Sequence, residues 1–505
     1  MTGEILSLPR VMIAASHGKS GKTILVSGIL RALKKRGVDV QPFKKGPDYI
    51  DPGWHSLAAG RPCRNLDSLF MDEDAMHAVL LEASAGARLE LIEGAMGLFD
   101  GSDVQGSSSS AEVAKQTKTP VVLVMDVTRM TRTAAALLKG CMEFDDGVHV
   151  VGVILNRIRG ARHEARIRES IEHYCGIPII GAVPEDARLV LPDRHLGLVT
   201  SVESDSAESF LDGVADVIEE HVDIDLLIRV AAEAEPIVCP TADDLYGPGQ
   251  SDAADPVTIA VVRDRSFEFY YPENLKALER AGARLAFVDS MEDNALPADA
   301  SGLYIGGGFP EVFAPQLQEN ACLRADIKSA LDRGMACFAE CGGLMYLART
   351  LTVDGVPYEM VGALDIDIEM KQKRQAHGYA HVVVRDEHPW LPAGTAMMCH
   401  EHHHSRASRI GEGVVFGLEN MRGKGISGHL DGVCYKRTCA GYAHVNAIAS
   451  PAWAPAFVAA AREFETEGDR GGEVASKRIP LPFRYNTSVC ASMSGSFPSC
   501  TQLIP

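Results

Sequence analysis

No run of about 18 consecutive apolar residues occurs in this chain, so no membrane-spanning helix is expected. The opening segment, Met1 to Arg10, lacks a basic patch followed by an apolar stretch, so a signal peptide is not expected either. Cysteine is sparse and unpatterned: the 505 residues hold 12, scattered from Cys63 to Cys500 with no C-x-x-C pair. Without a secretory signal this argues against a disulfide framework and for reduced thiols in the cytoplasm, where a single one can be catalytic. Basic charge is also short, with 49 Lys and Arg against 68 Asp and Glu and a net charge of −19. A broad nucleic-acid surface is therefore not expected. Anionic small molecules are not excluded, since local lysines and helix N-termini can hold them. No internal repeat is present.

The length fits two or three domains. Over the first ~220 residues strand and helix patterns alternate, as in a parallel α/β sheet. Strands are expected at Val11–Ala15, Leu89–Glu93, Val121–Asp126, Val148–Asn156 and Ile177–Val183, with a helix at Ala161–Tyr174. Asp126, Asn156 and Glu185 then fall at strand ends, where such sheets bind ligands. Residues 241–256 are acidic, Gly/Pro-bearing and poor in large apolar side chains, as in a linker. A second α/β pattern starts at Val257, and segments between about 360 and 450 are β-like and rich in histidine. The proline- and serine-rich stretch 467–505 reads as a poorly ordered tail.

Five segments carry chemistry. The first, Ser16 to Thr23 (S-H-G-K-S-G-K-T), lies between an apolar strand and an amphipathic helix, the context of a phosphate-binding loop. Backbone N–H groups of Gly18, Lys19, Ser20 and Gly21 would cradle phosphates, Lys22 would reach the outer ones, and Thr23 would sit on Mg²⁺. The usual first glycine of that motif is Ser16 here. The second, Gln41 to Pro52, supplies Lys44 toward the phosphates and the carboxylates Asp48 and Asp51; alone it would read as a solvated turn. The third, Leu91 to Gly101, ends a strand in Glu93, a Mg²⁺ ligand candidate, with Asp100 as a second carboxylate.

The fourth, Cys337 to Leu347, has the pattern of a nucleophile elbow: Cys341, then Gly342 and Gly343, between strand and helix. A helix N-terminus is expected to lower the thiol's pKa. The fifth, Tyr304 to Glu311, offers the Gly307 and Gly308 N–H groups as an oxyanion hole. Cys399 to Ser405 (C-H-E-H-H-H-S) is the most conspicuous histidine cluster. Strand alternation puts His400, His402 and His404 on one face, opposite Glu401 and His403. A strand lining a substrate pocket is the preferred reading; a metal site or a partly solvated edge strand are alternatives.

Together these segments resemble the cobyrinic acid a,c-diamide synthase family of glutamine-dependent tetrapyrrole amidotransferases, over nearly the whole chain to about residue 460. The most specific stretches are Lys44–Asp51, Arg64–Asp67, Glu93–Gly101, Gly306–Glu311 and Ala339–Tyr346. The resemblance implies an α/β chain of two parts. Residues 1–240 would be a dethiobiotin-synthetase-like P-loop domain that uses ATP and Mg²⁺ to make an acyl phosphate. Residues 257–450 would be a class I glutamine amidotransferase-like domain that releases ammonia from L-glutamine through a Cys341 thioester. Thr23, Asp48 and Glu93 would hold the Mg²⁺, Asn156 would join the ATP site, and Tyr49, Asp48, Asp51, Asp100, His400 and His402 would face the substrate.

The family's S-Y-T-H-L segment aligns with Gly441 to Val445, which makes His444 the partner of Cys341. Asn446 stands where ordinary class I glutaminases carry glutamate, so a Cys–His dyad is implied. The family's G-H-E-F-H-Y-S segment departs here at residues 399, 402 and 404. Cobyrinic acid, sirohaem or a nickel sirohydrochlorin would each present suitable acetates. A homodimer is left open. The rival from another class is a P-loop switch or partition-type ATPase. It would leave Cys341, Gly307, Gly308 and His444 without a role, and a partitioning ATPase would have lysine at His17.

Overall fold

The computed structural model describes residues 4–190, 193–194, 197–198, 206–240 and 255–469. In the N-terminal half, apolar runs bounded by turns become strands buried on both faces. Residues 10–15 and 121–126 belong to a seven-stranded sheet, ordered 64–66, 40–45, 89–93, 10–15, 121–126, 150–158, 179–184, with every pair parallel. The phosphate-loop strand is central. Its side chains alternate, so Met12 and Ala14 pack into one core while Val11, Ile13 and Ala15 pack into the other, against Leu25 and Ile29 of helix Lys22–Lys35.

The C-terminal half is built on a ten-stranded mixed sheet. Strands 283–288, 257–262, 300–305, 336–340 and 438–441 pair in parallel; then 430–435, 415–422, 376–384, 396–403 and 444–445 extend the sheet in antiparallel fashion. The β-like, histidine-rich character read between 360 and 450 is this antiparallel arm.

Most expected elements stand within about two residues of the observed ones, and the helix Ala161–Tyr174 matches at both ends. Pairing of Glu4–Leu6 with Ile237–Cys239 carried no local signal. Of the expected linker, residues 241–254 lie outside the described residues, as does most of the expected tail. Among the described residues no helix is long and apolar enough to cross a membrane.

The two sheets present their strand ends to each other across a polar and aromatic seam. Arg64 Nε donates to Glu273 Oε1 at 2.5 Å, and Tyr379 Oη donates to Asp67 Oδ2 at 2.8 Å. The Tyr49 ring lies 5.1 Å from that of Phe269 and 4.7 Å from that of Tyr271.

Candidate active site

The phosphate loop has the backbone its motif requires. Gly21 takes φ 84° before helix Lys22–Lys35, and a Cβ there would come within 2.6 Å of Asn156 Nδ2. That amide donates to Ser20 O at 2.9 Å, so Asn156 props the loop from strand 150–158, two places along the sheet. Asp126 and Glu185 instead pair with Arg157 and Arg159. Lys22 Nζ donates to Met96 O at 2.5 Å, and burial lowers its pKa to about 8. Ser16 Oγ is buried without a partner at the mouth of the same loop.

Beside the loop, four strand or helix ends bring charges together. Thr23 Oγ1 donates to Glu93 Oε1 at 2.9 Å and to Asp51 Oδ2 at 3.1 Å. Lys44 Nζ lies 2.7 Å from Asp51 Oδ2 and 3.2 Å from Glu93 Oε1. Burial works against charge on Lys44, but Asp51, Glu93 and Asp48 hold its pKa above the ordinary lysine value. Glu93 is buried too, yet Lys44 and His55 bring its pKa down to about 2. Asp51, not Asp48, is the carboxylate that meets Thr23 and Glu93. Asp48 Oδ1 instead accepts from the Ile50 and Asp51 amides at 3.0 and 3.2 Å and so caps the turn. Asp100 Oδ2 accepts from Gly97 N at 2.9 Å and borders the site.

His55 escaped the sequence reading. It is fully buried, its Nε2 lies 2.5 Å from Glu93 Oε2, and its Nδ1 lies 3.1 Å from Ser27 Oγ. Its signal was its spacing, four residues after Asp51 on the same face of helix Ile50–Ala59. A hydroxyl between two carboxylates, a charged lysine and a backbone cradle together fit a nucleotide with its divalent cation.

The second centre sits at the end of the parallel part of the other sheet. Cys341 follows strand Ala336–Glu340 with φ 48° and ψ −94°, and Gly342 opens a short helix, so the elbow is present. Such a conformation costs of order 1–3 kcal/mol and recurs at reactive positions. Glu340 pairs in register with Gly441 on the adjacent strand, which brings His444 to the same sheet end. His444 is buried and rests against the Gly307 backbone, where a Cβ would come within 2.4 Å of His444 Cε1. Gly308 N lies 3.0 Å from where a Cβ on Gly342 would stand, so the glycine strand and the elbow touch.

One expectation is corrected. Burial, followed by Glu311, Glu340 and Glu401, pushes the Cys341 thiol above its ordinary value instead of lowering it. The helix behind it spans only Gly342–Leu347 and cannot offset that desolvation. The thiol donates to His402 O at 3.8 Å, not to His444. His444 Nδ1 is buried without a partner, and burial lowers the imidazole pKa to about 3. Both members of the pair are therefore neutral near pH 7 in this arrangement. Glu340, also unassigned from sequence, accepts from Val445 N at 2.7 Å and from Tyr304 Oη at 2.8 Å, which fixes the strand bearing His444. Asn446 Oδ1 caps the Ile448 and Ala449 amides.

A cavity of about 700 Å³, of small-molecule size, borders both centres: Lys22, Thr23 and Lys44 from one sheet, Cys341, His400 and His444 from the other. Tyr49 spans the two, its ring 5.2 Å from that of His444. His400, His402 and His404 border this cavity as the alternation predicts, but His403 borders it too, and only Glu401, 3.1 Å from His403 Nε2 through Oε1, stands off it. Among the described residues no cluster of three or more His, Cys, Asp or Glu side chains is arranged as a metal site.

Residues 11–199 match the CobQ/CobB/MinD/ParA nucleotide binding domain, and residues 258–452 match the CobB/CobQ-like glutamine amidotransferase domain. A cobyrinate a,c-diamide synthase of Magnetococcus marinus is 42% identical over 449 residues, covering 89% of this chain and 96% of its own. That of Archaeoglobus fulgidus is 41% identical over 457 residues, covering 90% and 97%, and that of Methanosarcina acetivorans 38% over 484 residues, covering 91% and 96%.

Proposed function

Because this chain belongs to the cobyrinate a,c-diamide synthase family, we propose that its two centres run the two halves of one reaction, the amidation of the a and c acetates of cobyrinic acid. The enzyme is an ATP- and glutamine-dependent amide ligase. The observation that carries the reading is the single cavity bordered by Lys22 and Thr23 at one end and by Cys341 and His444 at the other.

A carboxylate is a poor electrophile, and phosphorylation gives it a leaving group. Gly18 to Thr23 bind the nucleotide phosphates, and Lys22 and Lys44 stabilise charge as the phosphoryl group transfers. Thr23, Asp51 and Glu93 are the side chains that would hold Mg²⁺, which supplies further charge neutralisation; Asp48 and Asp100 stand closer to the carboxylate to be activated. His55 holds Glu93 in place from behind.

At the other end, Cys341 attacks the glutamine amide carbon while His444 takes the thiol proton and passes it to the departing ammonia. The Gly307 and Gly308 backbone stabilises the oxyanion. For this the thiol must turn from His402 O toward His444. Water then hydrolyses the glutamyl thioester, which releases glutamate and restores the thiol, while ammonia attacks the acyl phosphate and displaces phosphate. We take residues 1–240 as the synthetase domain and 257–450 as the glutaminase domain, in an enzyme of the cytoplasm.

The test is product mass spectrometry with cobyrinic acid, ATP and Mg²⁺, driven by glutamine or by ammonium. Cys341→Ala should lose the glutamine-driven reaction by at least about a thousandfold and keep the ammonium-driven one. Asp51→Asn should impair both. A Cys341→Ala enzyme that still uses glutamine, or a wild type that adds no amide with either nitrogen source, would overturn the reading.

A further inference from the structure

The histidines on the antiparallel arm form a group of their own. Across one strand pair His377 lies opposite His402 and Tyr379 opposite His400; across the next, His400 lies opposite His444. Directly opposed residues project from the same sheet face, so register alone gathers these rings. His377 lies 4.8 Å from His402 and 6.2 Å from His400, His400 lies 6.1 Å from His402, and His404 lies 6.2 Å from His402, all between ring centroids.

All four border the shared cavity. The Nδ1 atoms of His400 and His404 are buried there with no hydrogen-bond partner, a condition that costs free energy until a ligand relieves it. Most groups facing them do not help. His377, His402 and His404 feel Arg374, His400 feels His444, His402 and His377, and only His404 is helped, by hydrogen bonds to the Gln372 and Lys371 backbone. Glu401 is turned away, engaged by His403 and by the Lys424 and Gly425 amides at 2.8 and 2.9 Å. His400 is buried, and desolvation holds its ring well below the ordinary imidazole value; His377 and His402 are more exposed and His404 half-buried, and partial desolvation with these neighbours lowers them too. They are neutral near pH 7 and have unmet capacity for an anion.

We infer that His377, His400, His402 and His404 form a receptor for the tetrapyrrole carboxylates that are not being amidated, and that the receptor takes up protons as they bind. A carboxylate docked against this group supplies the countercharge it lacks, which raises the proton affinity of the nearest rings.

This inference rests on the tetrapyrrole reading above, and its test keeps the two apart. The full-length protein is titrated calorimetrically with cobyrinic acid at pH 7.5, without ATP or glutamine, in phosphate and in Tris. The dependence of the heat on buffer ionisation enthalpy gives the protons exchanged. About one proton or more taken up per bound molecule is expected. The H402F/H404Y double variant, and separately His377→Gln, should take up at most about half as many and bind about tenfold more weakly. In turnover they should raise KM for cobyrinic acid with little change in kcat or in KM for glutamine. No proton uptake by the wild type, uptake unaltered in every variant, or uptake on titration with glutamine in place of the tetrapyrrole would overturn the receptor. A wild type that amidates cobyrinic acid yet shows no uptake rejects only the receptor. A wild type that does not amidate it rejects the functional reading itself.

Discussion

Gly307 leaves no room for a side chain, because a methyl group there would overlap the ring of His444. Gly307→Ala should displace the imidazole from the thiol's reach. Misplacement of a catalytic group by about 1 Å costs up to about a hundredfold, so glutaminase turnover should fall by that order while ammonium-driven amidation persists. Parallel assays with the two nitrogen donors check it; equal losses in both would show that the glycine serves the fold and not the histidine. At this scale the sequence was informative wherever a residue type is rare in its setting. Cys341 before two glycines and Lys22 after Gly21 could be placed without a structure. The sequence puts Asp48 rather than Asp51 beside Thr23, because both carboxylates follow the same turn and only the start of helix Ile50–Ala59 decides which one reaches it. His55 and Glu340 were invisible for a related reason. Each acts by holding another group in place, Glu93 for His55 and the Val445 amide and Tyr304 for Glu340, and no local pattern marks such a role.

The loop between strands 376–384 and 396–403 illustrates a device confined to one element. His388 Nδ1 accepts from the Leu391 amide at 2.9 Å and the Trp390 amide at 3.3 Å, so the ring must stay neutral there. Burial lowers its pKa to about 3. The unfolded chain, with an ordinary value near 6.5, therefore binds the proton first as pH falls. Stability is full above about pH 6.5 and is lost as pH drops from there toward 3, by up to a few kcal/mol from this residue. His388→Asn keeps an acceptor for the two amides and removes the titration. Its stability should fall less than that of the wild type between pH 6.5 and 4, as read by urea unfolding at each pH; parallel curves would refute the account. The parallel strands of both halves were legible as buried apolar runs. The antiparallel arm was legible only as β-like, because its register depends on partners far away in the chain.

Across the whole molecule, Tyr49 ties the halves together. It precedes helix Ile50–Ala59, whose Asp51 meets Thr23 and Lys44, and its ring packs between Phe269, Tyr271 and His444. A shift of that helix start on nucleotide binding would be felt at the glutaminase histidine. Tyr49→Leu should lower the ratio of glutamine-driven to ammonium-driven amidation about tenfold and weaken the response of glutamine hydrolysis to added ATP and cobyrinic acid. An unchanged ratio would leave Tyr49 as packing alone. Nothing in the sequence spacing foretold this contact, since Tyr49 and His444 are brought together only by the docking of one sheet end on the other.

The cavity that borders both centres also has an isotopic meaning. Cys341 and Lys44 line one volume, so under the proposed reaction nitrogen cut from glutamine at the first would reach a carboxyl group activated at the second without crossing bulk solvent. With glutamine labelled at its amide nitrogen and unlabelled ammonium in the medium, the new amides should carry the label at the enrichment of the glutamine supplied. The solvent pool, however large, would then be a bystander, and the nitrogen in each product would record which molecule it came from.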